Sequence, residues 1–175
     1  EMCIRDRLRH EPRRGCFVAE VTESDLDEIF PVIALLEGRA AHEATRKAVA
    51  ADIAALELLH DRLQQCAADG LVTDYYEANY AIHEAFITLA DNRWLAQVIG
   101  DLRKILRLAR HKTLHAPGRM QQSLAEHLAV FAALKARDCD AAEEAMRTHL
   151  LRQRDALRDV CLLYTSPSPR DLSTS

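Results

Sequence analysis

The chain is poor in the residues that build turns and sheets. Its 175 residues include 5 glycines, 5 prolines and only 5% aromatics. A sandwich or barrel needs many turns and many β-formers, so an all-β fold is excluded. No apolar run approaches the roughly 18 residues of a membrane span. A Gly-rich phosphate loop, a Cys-x-x-Cys pair and a nucleophile elbow are all missing, which removes common nucleotide, redox and hydrolase signatures. Basic residues are not in excess. The formal net charge is −4, which gives no general pull toward nucleic acid or anionic lipid. There is no repeat and no long linker. What remains is 49% hydrophobic and 29% charged, a globular composition at a length that suits one domain.

The two ends do not read like the rest. Glu1-Met2-Cys3-Ile4-Arg5-Asp6-Arg7 and Cys161-Leu162-Leu163-Tyr164-Thr165-Ser166 lack helical or strand period. The first can be written GAG ATG TGT ATA AGA GAC AG. Its reverse complement contains TGT CTC TTA TAC ACA TCT, which encodes the second. One DNA element read on opposite strands explains both, as expected of a sequencing adapter on a library fragment. Residues 1–7 and 160–175 are therefore expected to be adapter-derived and are set aside from fold reasoning. This leaves Cys16, Cys66 and Cys139, which without close pairing read as reduced thiols of a cytoplasmic protein.

Residues 8–19 form a short basic piece. Pro12 and Gly15 mark a turn, and Cys16-Phe17-Val18 favours a strand. From residue 24 onward, helix signals dominate. Ser24 can cap a first helix with Leu26, Ile29, Val32, Ile33, Leu36 and Ala40 on one face; Pro31 is expected to delay or kink its start. A second helix is expected over 52–69, ended by Gly70, a third over 73–90 and a fourth over 93–114, with Asp91-Asn92 as a break. After Pro117-Gly118, a fifth carries Leu124, Leu128, Phe131 and Leu134. A sixth, capped around Asp138, turns Ala141, Ala145, Met146, Leu150 and Leu157 inward. The expected fold is all-α: an antiparallel bundle of about six helices over residues 20–159.

Eight histidines are many for this length. His83 follows Asn79 by one helical turn, so an amide oxygen and an imidazole share a face. His127 lies among Leu124, Leu128 and Phe131, and His149 beside Met146 and Leu150. Facing helices can project such groups into a bundle core, where metal sites are built. On spacing alone the commoner reading is three core-edge histidines bonded to carbonyls or water. His42, His60, His111 and His115 read as solvated, and His10 sits in the basic arm. Glu57 and His60 match the carboxylate-bundle Glu-x-x-His spacing, but a di-iron site needs two copies. Glu84 and Glu126 adjoin these histidines in sequence, yet helix neighbours point elsewhere. The basic arm of Arg9, Arg13 and Arg14 reads as a loose charged end, as basic clusters usually are, or, with Arg13 and Arg14 on a turn, as a wing laid along DNA phosphate.

In this order the pieces resemble the FCD class of the GntR family of bacterial transcription regulators. Pro12 through Val18 resembles the last turn and strand of a truncated winged helix-turn-helix. Ser24 through Phe30, then Leu36-Glu37 and Ala40-Ala41, resembles the linker and first effector-domain helix. Asn79 through His83, Asn92 through Leu95, His127-Leu128 and Asp138 through Leu150 resemble the later helices. The resemblance covers nearly all of residues 8–159. It implies a dimeric effector-binding domain holding a divalent metal ion (zinc, nickel or manganese) on Asn79, His83, His127 and His149. A small organic acid is then expected beside the metal, modulating operator binding in the full-length protein, with no membrane involved.

Two departures matter. Asn79 stands where many members have Asp, and a neutral amide is a poorer partner for a cation. Ile33 stands where many carry an Arg, so an acid ligand must meet another cation, with Arg103, Arg107 and Arg110 as candidates. A homodimer is expected through the first and fourth helices, where Leu102, Ile105, Leu106 and Leu108 leave apolar groups on more than one face. Competing readings are a metal-dependent helical-bundle enzyme and a ligand-free helical interaction module.

Overall fold

The computed structural model describes residues 8–11, 15–18, 22–114 and 116–165, with side-chain surroundings for 22–106, 114 and 116–159. Its elements are β1 (Leu8–Glu11), β2 (Gly15–Val18), α1 (Glu23–Lys47), α2 (Ala50–Ala68), α3 (Val72–Leu89), α4 (Arg93–Thr113), α5 (Arg119–Lys135) and α6 (Cys139–Thr165). β1 and β2 pair antiparallel, Leu8 opposite Val18 and Glu11 opposite Gly15. The described residues from 22 onward are helical apart from short connections, as expected for an all-α bundle.

α1 begins one residue before Ser24. Thr22 is the cap: its hydroxyl accepts from the Asp25 N–H at 3.2 Å, and Asp25 Oδ2 accepts from the Thr22 N–H at 2.8 Å. This reciprocal box satisfies two backbone donors at once, which Ser24 could not do from inside the first turn. Pro31 neither delays nor ends the helix. It removes the donor for the Asp27 carbonyl, but both residues are exposed and water can replace the bond. α2 starts at Ala50, two residues before Asp52, because Asp52 Oδ2 reaches back to the Val49 N–H at 2.8 Å. Asn92 Oδ1 caps α4, accepting from the N–H groups of Trp94 and Leu95 at 3.1 Å.

The core is formed by the inner faces of all six helices. Phe30, Ile33, Ala41 and Ala44 of α1 meet Ala142, Met146 and Leu150 of α6; Leu56 and Leu63 of α2, Ile82 and Phe86 of α3, Leu106 of α4, and Val130 and Phe131 of α5 complete it. α1 and α6 approach closely at Gly38. A Cβ there would lie 2.5 Å from Arg147 Cγ, so only glycine lets the arginine stem cross. Arg137 closes the far end of α1, donating to the Thr45 carbonyl at 3.2 Å and to that of Ala48.

Several face assignments change. Val32, expected on the inner face of α1, is 48% exposed, because it lies off the buried stripe of Leu26, Phe30 and Ile33 and turns away from α6. Ala141 is exposed and Ala142 is the buried residue, a shift of one position at the start of α6. Leu106 belongs to the chain's own core rather than an outer face, and Leu102 is partly buried against that core; the Leu108 side chain lies outside the described residues. His60 is 1% exposed rather than solvated. It stacks on Phe131 at 4.3 Å, and its Nδ1 is 2.7 Å from the Leu56 carbonyl oxygen, so the apolar stripe of α2 carries it inward. Cys66 and Cys139 are free thiols; the Cys16 side chain lies outside the described residues. Residues 1–7 and 166–175 also lie outside them, while α6 runs into the expected tail as far as Thr165.

Candidate metal centre and effector site

Three histidines from three helices meet in the interior. His83 of α3, His127 of α5 and His149 of α6 each bring a ring nitrogen to within 4.8 Å of the other two. The ring centroids are 5.0 Å apart for His83 and His127, 5.3 Å for His83 and His149, and 4.5 Å for His127 and His149. All three are buried. Among the described residues no carboxylate or thiol joins the cluster. Asn79 stands one turn before His83 on α3 and is half-buried.

Two of the rings are held by carboxylates that are themselves held by arginines. His83 Nδ1 is 2.7 Å from Glu37 Oε2 of α1. Arg103 of α4 grips Glu37 with two bonds, Nε to Oε1 at 2.8 Å and a terminal nitrogen to Oε2 at 2.9 Å. Burial alone would raise the Glu37 carboxyl, but Arg103 and His83 hold it well below the usual carboxylate range. On the other side, His149 Nδ1 is 2.7 Å from Glu126 Oε2, and Arg119 makes two bonds to the same carboxylate at 3.1 and 2.9 Å. Burial would raise Glu126 too; His149 and Arg119 bring it below the usual range.

An ionised carboxylate can only accept, so His83 and His149 donate from Nδ1 and keep their lone pairs on Nε2. Burial, only partly opposed by Glu37, pushes His83 down to about 3. His127 is also held well below its ordinary value, by burial and then by the neighbouring rings. Neither nitrogen of His127 makes a hydrogen bond in the protein. A buried imidazole without a partner is costly. Three buried imidazoles around one point, with His83 and His127 held neutral, are a donor set suited to zinc, nickel or a similar divalent ion.

Arg103 reaches the cluster, but Glu37 and, at 3.3 Å, Glu84 occupy its guanidinium. The side chains of Arg107 and Arg110 lie outside the described residues, as do Arg13 and Arg14. Glu126 does point away from its neighbour His127, yet it is aimed at His149 on the next helix. Glu37, Glu126 and Arg119 were not read as site residues. The available signal was charge beside apolar positions one turn away: Glu37 lies one turn from both Ile33 and Ala41, and Glu126 one turn from Val130.

A family model described as FCD domain matches residues 28–152. The chain belongs to the FCD family of GntR-type transcription regulators. Relatives and folds agree. YdhC of Bacillus subtilis (strain 168), an HTH-type transcriptional regulator, is 22% identical over 154 residues, which span 87% of this chain and 69% of that protein. The structure of E. coli McbR/YncC superposes with a TM-score of 0.79 at 23% identity, over 89% of this chain and 74% of that one. A GntR-type regulator of Rhodococcus sp. RHA1 gives 0.70 at 20% identity, over 90% and 76%. The FCD domain is the effector-binding, regulatory part of such a protein, so the enzyme reading falls away. No helix among the described residues is long and apolar enough to cross a membrane.

Proposed function

We propose that this FCD domain senses a small organic acid through a divalent metal held by His83, His127 and His149, with Asn79 as a fourth ligand. The observation that carries this is the convergence of three buried imidazoles, one of them with no hydrogen bond of its own. The nitrogens, within 4.8 Å of one another, need an inward shift of the rings to reach the roughly 3–3.5 Å set by three metal–nitrogen bonds of about 2.0–2.1 Å. Glu37 and Glu126 fix the orientation of two ligands, the usual outer support of a metal-bound histidine.

Charge supports the acid. Glu37 and Glu126 are each balanced by a buried arginine, and the remaining charges nearby are of opposite sign, Glu84 beside Arg103 and Arg152 beside Glu126. Imidazoles and an amide add nothing. A dication here keeps its full charge, and a carboxylate from an effector offsets half of it in a low-dielectric interior.

The domain acts in this reading as a cytoplasmic homodimer whose full-length form binds operator DNA, with β1 and β2 as the remnant wing. Val32 and Leu35 of α1 and Trp94 and Val98 of α4 are exposed apolar residues, between 46% and 63% accessible. They flank the small cluster of Ala40, Ile87 and Ile99 that joins these two helices to α3.

Metal-stripped protein titrated with zinc, nickel and manganese tests the centre. One ion per chain is expected to bind and to raise the melting temperature, because a ligand specific to the folded state adds stability. His127→Ala is expected to remove both effects and still fold. If wild type binds no stoichiometric ion, the cluster is a set of core histidines and the module binds no metal.

A further inference from the structure

The three histidines of the centre are not held alike. His83 and His149 lean on Glu37 and Glu126, whereas both ring nitrogens of His127 are buried and close no hydrogen bond. A metal would take the lone pair of one nitrogen and leave the other as a buried N–H. Metal-bound imidazoles almost always donate that proton to an acceptor, because an unpaired donor in the interior is costly. The groups that act most strongly on the His127 ring are His149, His83, His60 and Arg119. His149 and His83 stand on the metal's side. Arg119 can only donate, and Glu126 takes both its terminal nitrogens. Of these four neighbours, that leaves His60 of α2 as the acceptor.

His60 is prepared for that role by its own bonds. It is buried and stacks on Phe131, which follows His127 by one turn on α5. Burial lowers its affinity for a second proton, so the ring is neutral at pH 7. Its Nδ1 stands 2.7 Å from the Leu56 carbonyl oxygen. A carbonyl only accepts, so the one proton of His60 sits on Nδ1 and Nε2 keeps a lone pair. The His127 backbone carbonyl also lies against this ring, and it too brings no proton. Nε2 is buried and closes no hydrogen bond. The His60 and His127 rings meet edge-on, with centroids 6.3 Å apart and planes inclined by 64°. A bond of about 2.9 Å between two ring nitrogens sets the centroids roughly 5 Å apart, so the rings close on each other by about 1 Å to make it. That movement is no larger than the inward shift the metal itself requires.

We infer that His60 is the positioning residue of the third ligand: its Nε2 accepts the outer N–H of His127 when a divalent ion occupies the centre. The inference rests on the metal-centred reading above. Each ligand then has one outer support, Glu37 from α1, Glu126 from α5 and His60 from α2, and the third support adds no charge. Zinc titration of the metal-stripped full chain against a competing chelator tests it. His60→Leu is expected to weaken zinc binding about 10–100-fold. The same variant is expected to keep the urea midpoint of the metal-free protein, because leucine packs on Phe131 and needs no partner. His60→Gln carries an amide oxygen that can accept at the same place, and it is expected to restore most of the affinity. If His60→Leu binds zinc as tightly as wild type, or loses zinc only together with metal-free stability, His60 serves packing alone and the inference falls. It falls equally if His60→Gln is as weak as His60→Leu. In each of those cases zinc binding by wild type leaves the metal centre standing. If wild type binds no zinc, both fall.

Discussion

The two arginine–glutamate–histidine sets look alike in chemistry and differ in construction. Arg103, Glu37 and His83 come from α4, α1 and α3, with separations of 66 and 46 residues. Arg119 and Glu126 are seven residues apart on α5, and His149 follows 23 residues later across one helical hairpin. The first set exists only when three distant helices have packed. The second is nearly a local property of α5 and α6. Their surroundings differ as well. Glu37 is 1% exposed and sealed in. Glu126 borders the outer groove, with the exposed Arg152 at 3.8 Å. The same triad can thus serve as a lock on the whole bundle or as an element of one hairpin, according to where its charges reach water.

The largest effect is expected at the sealed set. Arg103→Met leaves Glu37 as an uncompensated buried charge, which costs about 3–5 kcal/mol. Urea unfolding measures it directly. A loss under about 1 kcal/mol would mean that Glu37 reaches solvent and that the two sets are equivalent.

Arg119→Met is expected to cost less, about 1–3 kcal/mol, because Arg152 can swing over the exposed side of Glu126. Adding Arg152→Ala should bring the loss up toward that of Arg103→Met. Equal losses for the single variants would erase the contrast between closed and open sets.

The smallest and most gradual effect is that of pH, and its sign is fixed. His83 and His127 are held neutral far below the 6.5 at which the unfolded chain takes up their protons. Stability from these groups is full above 6.5 and is lost as pH falls below it, since the unfolded state then binds more protons. Glu37 and Glu126 lie below their ordinary 4.5, so their contribution is present above 4.5 and is lost on further acidification. The urea midpoint of metal-free protein should therefore fall steadily from pH 7 to pH 5 and more steeply below 4.5. A midpoint that rises on acidification would show that the histidines are charged in the folded state.

Much of the scaffold was legible because its signals are local. Gly70, Asp91-Asn92 and Pro117-Gly118 break helices through their own backbone preferences, and the six helices lie where those breaks leave them. Errors arose where two local signals competed. Ser24 is an acceptable cap, but Thr22 with Asp25 closes a reciprocal pair and wins. Ala141 and Ala142 are indistinguishable by composition, and only the seating of α6 on α1 turns Ala142 inward. His60 read as solvated because its companions Glu57 and Asp61 are polar, yet it faces Phe131 across the helix interface.

Local patterns along the chain are enough to show that it is helical, where its helices break, and that Asn79, His83, His127 and His149 lie on or beside apolar faces. Each of those facts depends on neighbours within a turn or two. The packing of distant helices brings three of these four residues, the histidines, to one point, lets Glu37 and Glu126 orient two of them, and sets buried arginines against those carboxylates. Helical periodicity gives the face a residue occupies but not the height at which two helices meet. A glutamate one turn higher would be an ordinary buried error. At its actual height, set by Gly38 under Arg147 and by the short connection between α5 and α6, it is the partner of a histidine.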